Sequence, residues 1–126
     1  MCKSSLPALA AAALATVFVA PAGMSAGTRW QAYADCAAGY LANWQDRRTD
    51  PSRTKSMADM IRTQSKDYET TAVSRYVDQN GAAKAQAEKA VRAYIQANLN
   101  RFVALDEKGK LNDLLDACPQ PDTYSQ

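Results

Sequence analysis

The residues of this chain with the most chemistry in them are its three cysteines, Cys2, Cys36 and Cys118, and the 126-residue sequence has no histidine to act with them. Without an imidazole there is no Cys–His or Ser–His nucleophile pair, no histidine general base, no imidazole-ligated haem and no ordinary catalytic zinc site. No Ser-x-x-Lys pairing stands out, and no carboxylate pair is placed in an apolar setting. The segment Asp78-Gln79-Asn80-Gly81 invites comparison with a calcium loop. With Gly81 at the turn position, however, the first and twelfth ligands are Tyr76 and Ala87, which do not serve. The residues therefore predict a protein that is not an enzyme and takes no metal or cofactor. Fifteen Lys and Arg against thirteen Asp and Glu give a net charge of +2, which makes no electrostatic case for nucleic acid.

The cysteines acquire a meaning from the N-terminus. Residues 1–26, MCKSSLPALAAAALATVFVAPAGMSA, carry one cation (Lys3), an apolar run from Leu6 to about Ala20, and small residues at Ala20-Pro21-Ala22 and Ser25-Ala26-Gly27. No acidic residue precedes Asp35. This is the pattern of a cleaved secretory signal. A membrane anchor needs roughly 20 apolar residues, whereas here Pro7 and Pro21 bracket an alanine-rich run. Cleavage discards Cys2 and leaves no stable membrane insertion. An even pair, Cys36 and Cys118, then remains in an exported chain, and such a pair reads as one disulfide. A bridge across 82 residues is worth roughly 4–5 kcal/mol by loop-closure entropy.

The elements that must bring those cysteines together are helical. The mature region has few helix breakers and is rich in Ala, Gln, Lys and Arg. Trp30, Tyr33, Ala37, Leu41 and Trp44 recur at spacings of three and four, which predicts a helix over 28–47 with Asp35, Gly39, Asn43 and Asp46 facing away. Asp50 as N-cap and Pro51 at the first position predict the start of a second helix, with Met57, Met60, Ile61 and Tyr68 on one face. Beyond Thr70 the apolar set shifts to Val73, Tyr76 and Val77, so a bend or break is expected near Glu69 to Thr71; Gly81 supplies the stop. Ala87, Val91, Tyr94, Ile95, Asn98, Phe102 and Leu105 form the stripe of a third helix, ended by Gly109. Leu111, Leu114, Leu115 and Cys118 make a short fourth helix over 110–118, terminated by Pro119. The fold class is all-α: a small up-and-down bundle of four helices, or five if the second is split, stapled by one disulfide. Residues 1–26 are the signal, 27–119 the bundle domain and 120–126 a loose tail.

Two surfaces are candidates for function. Between residues 47 and 66 six cations (Arg47, Arg48, Arg53, Lys55, Arg62, Lys66) face two aspartates. Cations at the end of the first helix complement its dipole, but Arg53 and Lys55 gain nothing from that effect. With Trp44 they form a candidate partner surface: Trp44, Arg47, Arg48, Arg53 and Lys55. The second candidate is a pocket between helices around Tyr94 and Asn98, because a polar Asn98 in an apolar stripe needs a partner. The acidic residues Asp106, Glu107, Asp113 and Asp116 read as a solvated face.

The segment Leu114 to Gln120, LLDACPQ, resembles the end of periplasmic acid-stress chaperones over less than a tenth of the chain, with a much larger cysteine separation here. The layout is also similar in outline to disulfide-bonded helical immunity proteins of toxin systems. Neither likeness carries a diagnostic motif, and neither assigns a family. Both imply what the residues imply, an exported helical module, periplasmic or secreted, that binds a protein partner in the periplasm or outside the cell. The alternative is a carrier of a small apolar ligand between the helices. Protein recovered from the envelope or medium is expected to lack residues 1–22 or 1–26 by intact-mass measurement. An intact N-terminus there excludes the cleaved signal.

Overall fold

A computed structural model describes residues 29–47, 51–52 and 54–122; the expected signal segment lies outside them. Four α-helices follow in order: α1 (Trp30–Arg47), α2 (Lys55–Asn80), α3 (Lys84–Glu107) and α4 (Leu111–Asp116). No strand occurs among the described residues. Chain ends are managed locally. Thr54, not Asp50, caps α2, its hydroxyl accepting the Met57 amide at 3.2 Å, while Pro51 and Ser52 lie in a turn ahead of the helix. At the other end Gly81 takes the left-handed conformation (φ 64°), and its amide donates to the Val77 carbonyl at 2.8 Å. Gly109 (φ 72°) ends α3 in the same region of backbone space.

Helix α1 is the centre of the molecule. Ala34, Ala37, Ala38 and Ala42 are all completely buried, and Tyr33 and Cys36 nearly so. These positions do not share one narrow stripe; they run around most of the helix, because side chains this small let neighbours approach on several sides at once. On α2, Ser65 is buried and its hydroxyl donates to the Ala37 carbonyl at 2.8 Å. Trp30 packs edge-to-face on Tyr76 of α2 and Tyr94 of α3, each with ring centroids 5.0 Å apart.

The expected break in α2 is absent: the helix runs unbroken through Glu69, Thr70 and Thr71. The shift in its apolar side records a change of neighbour instead. Tyr68 stacks on Tyr40 of α1, whereas Val73 and Val77 border the groove toward α3. The modest propensity cost of threonine is offset by Thr71, whose buried hydroxyl accepts the Asp122 amide at 2.9 Å. In α3 the core positions are Ala87, Val91, Ile95, Leu99 and Phe102. Leu99 was missing from the sequence stripe, while Tyr94, Asn98 and Leu105 lie at its half-buried edges.

Helix α4 is shorter than the expected 110–118. After Asp116 the chain tightens, with Ala117 and Cys118 amides bonding carbonyls three residues back, and Pro119 cannot continue a helix. Leu111 and Leu115 are buried against α1, and Cys118 is bonded to Cys36 with Cα atoms 6.1 Å apart, inside the normal range. The first residues of the expected loose tail are in fact docked. Tyr68 donates to the Pro119 carbonyl at 2.8 Å, Pro121 is buried, and Arg75 pairs with Asp122 at 2.7 Å.

Gly39, expected to face away, is buried beneath α4. A Cβ there meets Leu115 Cδ2 at 2.8 Å, with Leu114 and Leu111 at 3.5 and 3.6 Å. Hydropathy assigns no side to a residue without a side chain, and here the bare backbone is the seat. Gly39→Leu must displace α4 or distort α1, and is expected to lower stability by about 1–3 kcal/mol in urea unfolding. An unchanged or higher midpoint shows that α4 does not depend on that seat.

Candidate functional site

The end of the bundle where α1 finishes and α2 begins carries the cationic segment singled out above. Trp44, on the last turn of α1, is half-buried, and the Arg62 guanidinium lies over its ring at 5.5 Å from the centroid. Arg47 closes α1; Arg48 and Arg53 lie outside the described residues. Lys55 is 89% exposed and bonded to Asp59 at 2.7 Å. That hydrogen bond, with the attraction of the same carboxylate, raises the Lys55 pKa above its ordinary value. Ser52 and Lys55 have Ser-x-x-Lys spacing, but a lysine that acts as a base needs a lowered pKa, and the pairing with Asp59 pushes it the other way.

The sequence reading missed the character of the methionines here. Met57 and Met60 share the apolar face predicted with Ile61 and Tyr68, yet they are 44% and 58% exposed. Their face of α2 continues through Ile61 to Tyr68, Thr71 and Arg75 at helical spacing. The segment after α4 covers the far half of that stripe, at Tyr68, Thr71 and Arg75. Its described residues end at Asp122, on that far half. The site thus joins an aromatic ring, a stacked arginine and two exposed thioethers, residue types enriched at protein interfaces.

The second candidate dissolves into local structure. The Tyr94 hydroxyl donates to Asp35 Oδ1 at 2.8 Å. Burial, then this hydrogen bond and the Asp35 charge, push its pKa up to about 12. Asn98 donates to the Tyr94 carbonyl at 2.9 Å and accepts from Arg101, which also reaches Asp35, both at 3.4 Å. Asn98 has its partners on its own helix.

Two open grooves flank α2 and α3 instead, and neither is lined by Tyr94 or Asn98. One, of about 440 Å³, has Val73 and Val77 among its lining residues; the other, of about 360 Å³, is lined by Arg62, Lys66, Glu69, Thr70 and Arg92. Among the described residues no group of acidic or cysteine side chains is arranged to hold a metal ion, and no helix is long and apolar enough to cross a membrane. No protein-family model matches the chain, and neither a curated protein nor a solved structure matches it.

The Tyr94–Asp35 bond has a pH signature. Because the folded-state pKa of Tyr94 lies above the ordinary value of 10.0, its contribution is complete below pH 10 and is lost as pH rises toward about 12. Tyr94→Phe is expected to cost about 0.5–1.5 kcal/mol at pH 7, with the gap to the parent closing between pH 10 and 12 in urea unfolding. A gap independent of pH over that window rules out the bond's contribution.

Proposed function

We propose that this protein is a binding module that engages a protein partner through the α1–α2 end of the bundle, outside the cytoplasm. The observation that carries the reading is the exposure of Met57 and Met60 on the first turns of α2, at the end of the bundle that bears Trp44 with Arg62 over its ring. Unbranched, polarizable methionines adapt to a partner's surface. A tryptophan with an arginine already stacked on it supplies a rigid anchor at low entropic cost. The excess of cations over residues 47–66 favours a partner with an acidic face.

Export is supported by the disulfide, a feature of oxidising compartments, together with the secretory pattern of residues 1–26. A carrier of a wholly apolar ligand needs an enclosed, hydrocarbon-lined cavity. The grooves beside α2 are open and walled by charged side chains, so the partner-binding reading is preferred.

A photo-crosslinking residue placed at Met60, and for comparison at exposed Gln96 on α3, tests it in the producing cells. Position 60 is expected to give a discrete protein adduct that position 96 does not. Met57→Glu should reduce that adduct roughly tenfold, the loss of a mid-sized hot spot, without changing helicity. Equal labelling at both positions, or an adduct indifferent to Met57→Glu, overturns the proposal.

A further inference from the structure

The groove between α2 and α3 has two compartments of opposite character that share Glu69, Thr70 and Arg92. In the first, Arg62 and Lys66 of α2 and Arg92 of α3 border a recess of about 360 Å³ whose only acidic lining residue is Glu69. Arg62 and Lys66 stand four apart on one helix face, a like-charge spacing that destabilises a helix. Neither forms an ion pair among the described residues. Lys55 on the same helix is matched by Asp59 at that spacing, so the unmatched pair stands out. Glu69 is already engaged: its Oε2 accepts from Arg92 Nε at 3.0 Å, and among the described residues Arg92 makes no ion pair with a second carboxylate. Arg62 is held in place by its stacking on Trp44. Three cations from two helices, one of them pre-positioned, in a recess that a threonine also lines, are what a phosphate-type oxyanion needs. The second compartment continues along the helices past Val73 and Val77, and Ser74, Asp78, Lys84 and Glu88 also line it.

We propose that this trough binds an anionic amphiphile, with a phosphate-type head on Arg62, Lys66 and Arg92, the Thr70 hydroxyl assisting, and its alkyl chain along Val73 and Val77. The site lies on a different face of α2 from Met57 and Met60 and shares only Arg62 with the partner surface, so it stands or falls independently of that reading. A head in the first compartment and a chain in the second make one ligand of both, because the two recesses are contiguous at Thr70 and Arg92.

The test is titration of the folded, disulfide-bonded protein, followed by amide NMR, with inorganic phosphate and separately with monomeric octyl phosphate. Octyl phosphate is expected to bind at least about tenfold tighter than phosphate, with shifts at residues 62–77 and at Arg92, and to weaken as salt rises. Lys66→Gln and Arg92→Gln change exposed side chains and leave the bundle intact. Each should weaken both ligands roughly tenfold, as for one lost charge-assisted hydrogen bond. Val77→Asp should remove only the advantage of the octyl chain. Equal affinity for the two ligands, binding that survives Lys66→Gln and Arg92→Gln, or shifts located elsewhere each overturn the proposal.

Discussion

A helix made largely of alanine and glycine at its contact positions is the constraint on which everything else in this bundle depends. Because Ala34, Ala37, Ala38 and Ala42 end at a methyl group and are fully buried, α1 lets α2, α3 and α4 pack against it together. Its own side chains contribute little hydrophobic area for each residue; what they contribute is access. The larger buried groups, Phe102, Leu111 and Val91, come from the surrounding helices and close over the alanine surface. Backbone groups are within reach too, which is how Ser65 bonds the Ala37 carbonyl. Such an arrangement tolerates enlargement poorly, since an interior near crystal density has no room to yield.

The same geometry explains why a six-residue helix persists at the end of the chain. A segment of that length is not stable by itself in water. Here it is held from both sides: Leu115 rests on the bare backbone at Gly39, and Cys118 is bonded to Cys36, one turn away on α1. The bridge also fixes where the following residues run. Among the described residues they cross α2 at Tyr68, Thr71 and Arg75, while at the start of α2 the two methionines are exposed.

Much of this was legible in the sequence, for identifiable reasons. The four helices followed from periodicity and from Gly81 and Gly109, and the Cys36–Cys118 pairing from the parity of cysteines left beyond the expected secretory segment. Three features were not legible because they depend on neighbours. Gly39 has no hydropathy to assign it a side, and only the leucines of α4 show that it is buried. The change of apolar face along α2 looked like a bend, since one chain cannot show that a straight helix meets different partners along its length. Met57 and Met60 share the predicted face with Tyr68, but a face read from periodicity does not show that it is buried at Tyr68 and exposed at the methionines. Of the candidate site residues, Trp44 and Lys55 lie at the predicted end of the bundle, whereas Tyr94 and Asn98 are occupied by Asp35, Arg101 and each other.

The central claim is that α4 and the residues behind it stay on α1 through the disulfide together with the small-residue seat. Native-state hydrogen exchange of the oxidised and the reduced protein tests it most directly, read at the amides of Ala117, Cys118 and Asp122, which bond Leu114, Leu115 and Thr71. Reduction is predicted to bring these three amides close to unprotected exchange while the central turns of α1 and α3 retain protection. Protection at Ala117, Cys118 and Asp122 that is unchanged by reduction contradicts the account.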